Sequence, residues 1–372
     1  MKFIIAGGGT GGHIYPGITV AKTVLERIPE AEIVFVGTRR GLEADVVPRE
    51  GFELLFIDVE GFRRKLSPET LATAYRAFKG VFQAKAIIKK LQPDVVVGTG
   101  GYVSGPVVLA AWLSGIPTLI HEQNALPGFT TRILSRIADV VALTYPESAK
   151  YFSKNVKTSL TGNPIRRSIL QTARSQGLAA FHLDSQMSTV LVFGGSQGAR
   201  AINKAMVRVL PTMMKSRDLQ VIYQTGRRDN DWVKKELEAN CGGISDSRRL
   251  IVLDYIYRMD HAIACADLVI SRAGAISIAE ITGRGLPSIL IPLPSSAEGH
   301  QVKNAEALEE AGAALVIHEK DLTPESLLRA ISRIIDDENQ RKYMARKSCE
   351  LGRPKAADDL ADIVVSLAKG HA

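Results

Sequence analysis

Two segments of this chain read alike, about half a chain apart. Lys2–Gly12 runs from a short apolar stretch into Gly7-Gly8-Gly9-Thr10-Gly11-Gly12 and then into a helix-length segment. Thr189–Ala199 does the same through Gly194-Gly195-Ser196-Gln197-Gly198-Ala199. A strand that ends in glycines and opens a helix is the first turn of a doubly wound α/β unit. Its recurrence implies two such units in tandem, for which 372 residues suffice. Further Val/Ile-rich runs at Ile33–Val36, Leu54–Ile57, Val95–Val97, Thr118–Ile120 and Val140–Leu143 belong to the first half. Runs at Gln220–Tyr223, Leu250–Leu253, Leu268–Ile270, Ser288–Ile291 and Ala314–Ile317 belong to the second. They are nearly continuous rather than alternating, as expected of strands buried on both faces of a parallel sheet. The expected fold is α/β, two Rossmann-like domains with parallel sheets facing a cleft. Asn163-Pro164 fixes a turn after a strand. The domains are therefore expected at 1–163 and 164–352, with a terminal helix in about 353–372 able to pack back on the first or stay with the second.

Composition narrows the class. Apolar residues make up 45% and charged residues 23%, a globular balance. The most apolar segment, Gly105–Ile120, is interrupted by Ser114, Gly115 and Pro117, so no span of ~20 apolar residues exists. Lys2 is followed by four apolar residues and then glycines, too few for a secretion signal, and a cytosolic chain is expected. Three scattered cysteines exclude a disulfide framework and a Cys-based zinc site, and read as reduced packing residues.

The net charge of +8 is concentrated. Between Gly61 and Gln92 lie Arg63, Arg64, Lys65, Arg76, Lys79, Lys85, Lys89 and Lys90 against the single acid Glu69. A nucleic-acid binder would spread its charge further, so none is expected as a partner. If Glu69–Leu91 is one helix, Ala77, Gly80, Val81, Ala84, Ile87, Ile88 and Leu91 form an aliphatic face suited to a sheet. Leu71, Tyr75, Phe78 and Phe82 lie opposite, flanked by Lys79, Lys85, Lys89 and Lys90. That second face reads as a surface for anionic lipid, or as packing under the 61–68 loop. Gly80 is where the helix could break.

Backbone amides and the positive helix end at Gly7–Gly12 favour a phosphate. An NAD site would need an acid at the end of the second strand, where this chain has Thr38-Arg39-Arg40. His13 ends the loop. It could take a proton from a sugar hydroxyl, cap the turn or bond a phosphate. Gly194–Arg200 repeats the anion-binding loop with Ser196 added. Two such loops point to a transferase with a nucleotide donor and a phosphorylated acceptor. Ser271-Arg272-Ala273-Gly274-Ala275 opens a third glycine turn, and Glu280 on the helix behind it could hold a ribose diol. Gln301 and Asn304 share a helix face, expected to be a solvated polar one. Asp229-Asn230-Asp231 has the form of a metal-binding DxD. It is better read as an N-cap and acidic first turn, so no metal is expected.

Taken in order, Gly8–His13, Gly100-Gly101-Tyr102-Val103-Ser104-Gly105-Pro106, His121-Glu122-Gln123-Asn124, Gly162-Asn163-Pro164-Ile165-Arg166, Gly194–Arg200, Arg272–Ala275 with Glu280, and Gln301 with Asn304 resemble the MurG family of N-acetylglucosaminyltransferases. That family makes lipid II from lipid I in peptidoglycan synthesis. The resemblance implies a GT-B fold and inverting, metal-independent transfer of GlcNAc from UDP-GlcNAc to the 4-hydroxyl of lipid-linked MurNAc, with no cofactor. It carries over Thr10, Gly11, Gly12 and Asn124 to the donor-sugar side. His13, or a water it holds, is the expected catalytic base. Arg166, Ser196, Ile256, Ala275, Ile276, Ser277, Glu280, Gln301 and Asn304 would serve UDP-GlcNAc, Ile256 by its backbone at the uracil. Lipid I would be the acceptor, its pyrophosphate on the first domain's glycine loops. The patch of Phe78, Phe82, Lys79 and Lys85 would dock an anionic membrane at its cytoplasmic face. Thr131 and Pro294–Gly299 depart from the family pattern. The rival readings are a UDP-GlcNAc 2-epimerase, which needs carboxylates in the cleft, and an NADP-dependent oxidoreductase.

Overall fold

The structure is a computed structural model that describes residues 1–60, 68–195, 197–215, 218–241 and 249–370. The side chains of 68–77, 241 and 297 lie outside that description. The chain forms two compact units, Met1–Pro164 with Lys355–Ala372, and Ile165–Pro354.

In the first unit, β1 (Lys2–Gly7), β2 (Glu32–Gly37), β3 (Glu53–Phe56), β4 (Val95–Gly100), β5 (Thr118–Glu122), β6 (Val140–Leu143) and β7 (Thr158–Leu160) form one sheet. Its order is β3-β2-β1-β4-β5-β6-β7, and every pairing is parallel. Side chains alternate between two cores, as the period of a strand requires. Phe3, Ile5, Phe35, Val97 and Leu119 face one core, while Ile4, Ala6, Val36, Val96 and Ile120 face the other. Such two-sided burial explains why these strands are continuous apolar runs. β7 was not expected. It is a three-residue edge strand with two exposed residues and carries no apolar run.

In the second unit, β8 (Ser188–Phe193), β9 (Leu219–Gln224), β10 (Leu250–Leu253), β11 (Leu268–Ser271), β12 (Ser288–Leu290) and β13 (Ala314–Val316) order as β10-β9-β8-β11-β12-β13, again all parallel. Val190, Val192, Val221 and Ile270 face one core, and Leu191, Phe193, Ile222 and Val269 the other. In both sheets the strand order reverses beside the first strand, between β1 and β4 and between β8 and β11. Ligands of open α/β sheets bind outside the carboxyl ends of strands at such a reversal.

Helix Pro68–Leu91 is continuous through Gly80. A Cβ there would lie 2.3 Å from Val59 Cγ1, so the glycine serves close packing and does not break the helix. Ala84 and Ile88 are buried in the sheet's core. Cys265 is buried, but Cys349 is exposed, so the expectation that all cysteines pack internally fails there. Among the described residues, no helix is long and apolar enough to cross a membrane.

The last helix, Ala356–Ala368, belongs to the first unit. Leu360, Ala361, Val364 and Leu367 share the core of Ile14, Ile18 and Val24. Arg27 pairs with Asp358 at 2.9 Å and also with Asp362. Leu360→Ala is expected to destabilise the first unit by roughly 2–5 kcal/mol through a buried cavity. Amide exchange should then rise across β1, β2 and β4 while β8–β11 keep their protection.

Candidate active site

The first switch point is built around glycines. Helix Gly11–Arg27 starts directly after the β1 turn, with Thr10 as its N-cap and Gly11, Gly12 and His13 in its first turn. Gly9 has φ +86°, and at the end of β4 Gly100 and Gly101 have φ +106° and +74°. The His13 ring lies against this second turn, since a Cβ on Gly100 would come within 2.6 Å of its Cδ2. His13 Nδ1 lies 3.2 Å from the Gly8 carbonyl oxygen and 3.3 Å from Thr10 Oγ1. A carbonyl only accepts, so Nδ1 carries the proton in the neutral ring and Nε2 carries the lone pair. Gly8–His13 thus sets the histidine in the tautomer that a base needs.

Two buried carboxylates hold these loops. Glu43, fully buried, accepts from Gly9 N at 3.0 Å, Thr38 N at 2.9 Å and Thr38 Oγ1 at 2.8 Å. Glu122 accepts from Asn124 N at 3.0 Å, Asn124 Nδ2 at 3.2 Å and Gly128 N at 3.0 Å. The amide of Asn124 is therefore turned toward its own loop. His121 donates from Nε2 to the Gly162 carbonyl at 3.0 Å, and its Nδ1 lies 3.2 Å from Gln123 Nε2. Burial lowers its pKa from 6.5 to about 4, against a smaller upward effect of the Gly162 bond, so it stays neutral. Arg39 stacks on Phe56 at 4.7 Å. Sequence reasoning missed Glu43. The signal available was the pair Gly37 and Gly41, since a Cβ on either would strike the Glu43 side chain.

In the second unit, Gly198 (φ +75°) and Gly226 (φ +83°) press the turns after β8 and β9 backbone to backbone. A Cβ on Gly198 would lie 2.2 Å from the Thr225 carbonyl oxygen. Ser196 lies outside the described residues. Gln224, also missed, donates from Nε2 to the Gly195 carbonyl at 2.9 Å and accepts from Ile256 N at 2.9 Å. The Ile256 N–H is thereby engaged, so its backbone would meet a base through its carbonyl.

After β11, Gly274 caps helix Ala275–Gly283. Amides in the first turn of a helix lack intrahelical partners, here those of Ala275, Ile276 and Ser277. Glu280 is buried on the same helix. Its Oε1 takes Arg166 Nε at 3.0 Å and Nη2 at 2.7 Å, so two residues read separately in the sequence are one ion pair. Burial raises the Glu280 pKa, and Arg166 acts against that rise. Gln301 and Asn304 do not form a solvated face. Gln301 Oε1 accepts from Leu293 N at 3.0 Å, and the fully buried Asn304 donates to the Ala273 carbonyl at 3.4 Å. Their amides tie the ends of β12 and β11, because unpaired carbonyls and amides at buried strand ends are costly. Arg272 bonds the Ile291 carbonyl at 3.1 Å and pairs with Glu319 at 2.6 Å. Asp229, 9% exposed at its side chain, accepts from Arg200 at 3.0 Å and Asn203 at 2.9 Å. Helix Asn230–Cys241 starts beside it, but its carboxylate serves that pair rather than a cap.

Phe78 and Phe82 are 62% and 58% exposed and meet edge to face at 4.7 Å. Lys85, Lys89 and Lys90 are exposed, whereas Lys79 pairs with Asp58 at 3.1 Å. Trp112, Leu113, Phe129 and Ile133, on helices that also pack in this unit, are exposed apolar residues which the sequence reading did not include. Arg63, Arg64 and Lys65 lie outside the described residues, as do the side chains of Leu71, Tyr75, Arg76 and Ala77.

Residues 3–143 match the glycosyltransferase family 28 N-terminal domain, and residues 189–360 match the glycosyltransferase family 28 C-terminal domain. Paired doubly wound units with glycine turns at both reversals are the frame of such an enzyme, and the chain belongs to glycosyltransferase family 28. Within it, the chain groups with the transferases of lipid-linked peptidoglycan precursors. It is 47% identical over 98% of its length, and 98% of the relative's, to the UDP-N-acetylglucosamine–N-acetylmuramyl-(pentapeptide) pyrophosphoryl-undecaprenol N-acetylglucosamine transferase of Desulforamulus reducens. It is 44% identical over the whole of both chains to the protein of that name from Acetivibrio thermocellus. Among solved structures, Acinetobacter baumannii MurG superposes with TM-score 0.79 at 30% identity, covering 98% of this chain and 99% of that one. A UDP-GlcNAc 2-epimerase from Neisseria meningitidis superposes at 0.70 with 13% identity, covering 98% and 100%, a likeness of fold alone.

The neutral His121 sets a pH dependence. On unfolding its pKa returns from about 4 to 6.5, so the unfolded chain takes the proton first. Stability is full above pH 6.5 and is lost as pH falls toward 4, by roughly 3 kcal/mol. Denaturant titrations between those limits should show that slope in the native chain and a flatter one in His121→Gln.

Proposed function

We propose that this protein transfers GlcNAc from UDP-GlcNAc to the 4-hydroxyl of undecaprenyl-pyrophosphoryl-MurNAc-pentapeptide, lipid I, with inversion, yielding lipid II for peptidoglycan. One observation carries the reading. In a chain 47% identical end to end to a transferase of that name, Arg166 pairs with Glu280 on helix Ala275–Gly283, which opens directly after a glycine turn. The diphosphate would meet the amides of Ala275–Ser277 and the Arg166 guanidinium, with Ser196 and the Gly194–Ala199 loop beside it. Glu280 would accept the ribose diol on Oε2, and Gln301 and Asn304 would hold the strand ends beneath. The Ile256 carbonyl would face the uracil.

His13 Nε2, directly or through a water, takes the proton of the acceptor hydroxyl as that oxygen attacks the anomeric carbon. UDP leaves from the opposite face, so one displacement inverts the centre. The charge growing on the leaving diphosphate is stabilised by fixed peptide dipoles, which need no reorganisation. Thr10, Gly11, Gly12 and Asn124 would border the donor sugar. The exposed aromatics Phe78 and Phe82, with Lys85 and its neighbours, would place the enzyme at the cytoplasmic face of an anionic membrane where lipid I resides. Cell-wall growth, and through it cell shape and division, would depend on the product.

The epimerase reading is weaker. An enzyme of that kind matches this chain in fold alone, at 13% identity, whereas the transferase relatives match at 47% end to end.

Incubation with labelled UDP-GlcNAc and a lipid I analogue should give a disaccharide product and, without acceptor, no epimerised sugar nucleotide. Glu280→Ala should raise the KM for UDP-GlcNAc at least about tenfold with kcat nearly kept, as expected for a lost ground-state contact. A fall in kcat at constant KM would remove the ribose assignment. Changing Phe78 and Phe82 together to Ser should weaken binding to anionic liposomes yet spare turnover of a short-chain soluble acceptor.

A further inference from the structure

We propose that Glu43 is a positioning residue for His13 and acts through the peptide group joining Gly8 to Gly9. The Gly8 carbonyl and the Gly9 N–H belong to one planar unit. Its N–H donates to Glu43 Oε2 at 3.0 Å, and its oxygen lies 3.2 Å from His13 Nδ1. The order is therefore carboxylate, peptide, imidazole, with a peptide inserted where a catalytic triad has direct contact. Glu43 faces three donors, Gly9 N, Thr38 N and Thr38 Oγ1, the environment of an ionised carboxylate. A charge on the N–H side polarises the peptide and makes its oxygen a better acceptor, because bonds in a chain reinforce one another. That favours Nδ1–H in the neutral ring and steadies the imidazolium once Nε2 has taken a proton.

The surroundings clamp this peptide. A Cβ on Gly8 would lie 2.7 Å from Glu43 Oε1 and 2.8 Å from Val103 Cγ2. A Cβ on Gly101 would lie 2.4 Å from the Gly8 oxygen, and one on Gly9 3.0 Å from the Tyr102 ring. Glycine at these places lets the peptide lie between a carboxylate and an imidazole, a demand that binding an anion alone does not make. The Gly9 amide, spent on Glu43, is withdrawn from any phosphate cradle.

The proposal rests on the reading of His13 as the base, and the test separates the two. The probe is nitrogen NMR of full-length protein carrying labelled histidine, which distinguishes a protonated ring nitrogen from a bare one. In the native protein His13 should be protonated at Nδ1 and bare at Nε2. In Glu43→Gln that preference should be lost, with kcat reduced at least about tenfold and the KM for UDP-GlcNAc within about twofold, since the residues assigned to the diphosphate, ribose and uracil belong to the second unit. Glu43→Asp, which keeps the charge, should recover part of both. A native His13 protonated at Nε2 overturns the proposal without any variant, even if both variants fail to fold. So does a Glu43→Gln protein with an unchanged tautomer. Wild-type turnover in His13→Ala would instead overturn the base reading and leave the tautomer result standing.

Discussion

A parallel sheet whose order reverses beside its first strand leaves a place at its carboxyl edge that no connection covers. Both units of this chain have that order, and the residues singled out for chemistry gather at those edges. The helices that start there direct unpaired amides outward. Everything else is arranged so that backbone, rather than side chains, can come close. Glycines at positive φ turn the chain sharply, and their missing Cβ atoms let one turn press on another.

Buried polar side chains then fix what the glycines have freed. Glu43 and Glu122 in one unit, and Gln224, Asn304 and Arg272 in the other, all bond backbone groups near strand ends. A flexible glycine turn would otherwise lose its geometry to its own entropy. The same logic explains Asp229, whose carboxylate is consumed by Arg200 and Asn203, with Arg200 also lying 3.7 Å over the Trp232 ring.

The sheets were legible in the sequence because two-sided burial writes each strand as an apolar run. β7 was not, since its short edge position asks for no such run. The glycine turns and His13 were legible as a local pattern, and so was the exposed Phe78 and Phe82 pair. Trp112 and Phe129, also exposed, were not, because each sits alone in its own segment with no pattern around it. Glu43 and Gln224 were hidden for a related reason. Each serves a loop 34 or 29 residues away, and periodicity carries no record of such a partner. Gln301 and Asn304 misled in the opposite direction. Amides three apart on a helix look solvated until the strand ends beneath them are seen.

The most direct measurement follows the backbone amide resonances of Ala275, Ile276 and Ser277 as UDP is added in the presence of a chelator. If peptide groups at a helix start hold the diphosphate, these three should shift with saturating UDP alone. Shifts that arise only when a divalent cation is restored, or that leave this turn untouched, would contradict a site in which fixed amides and Arg166 carry the charge.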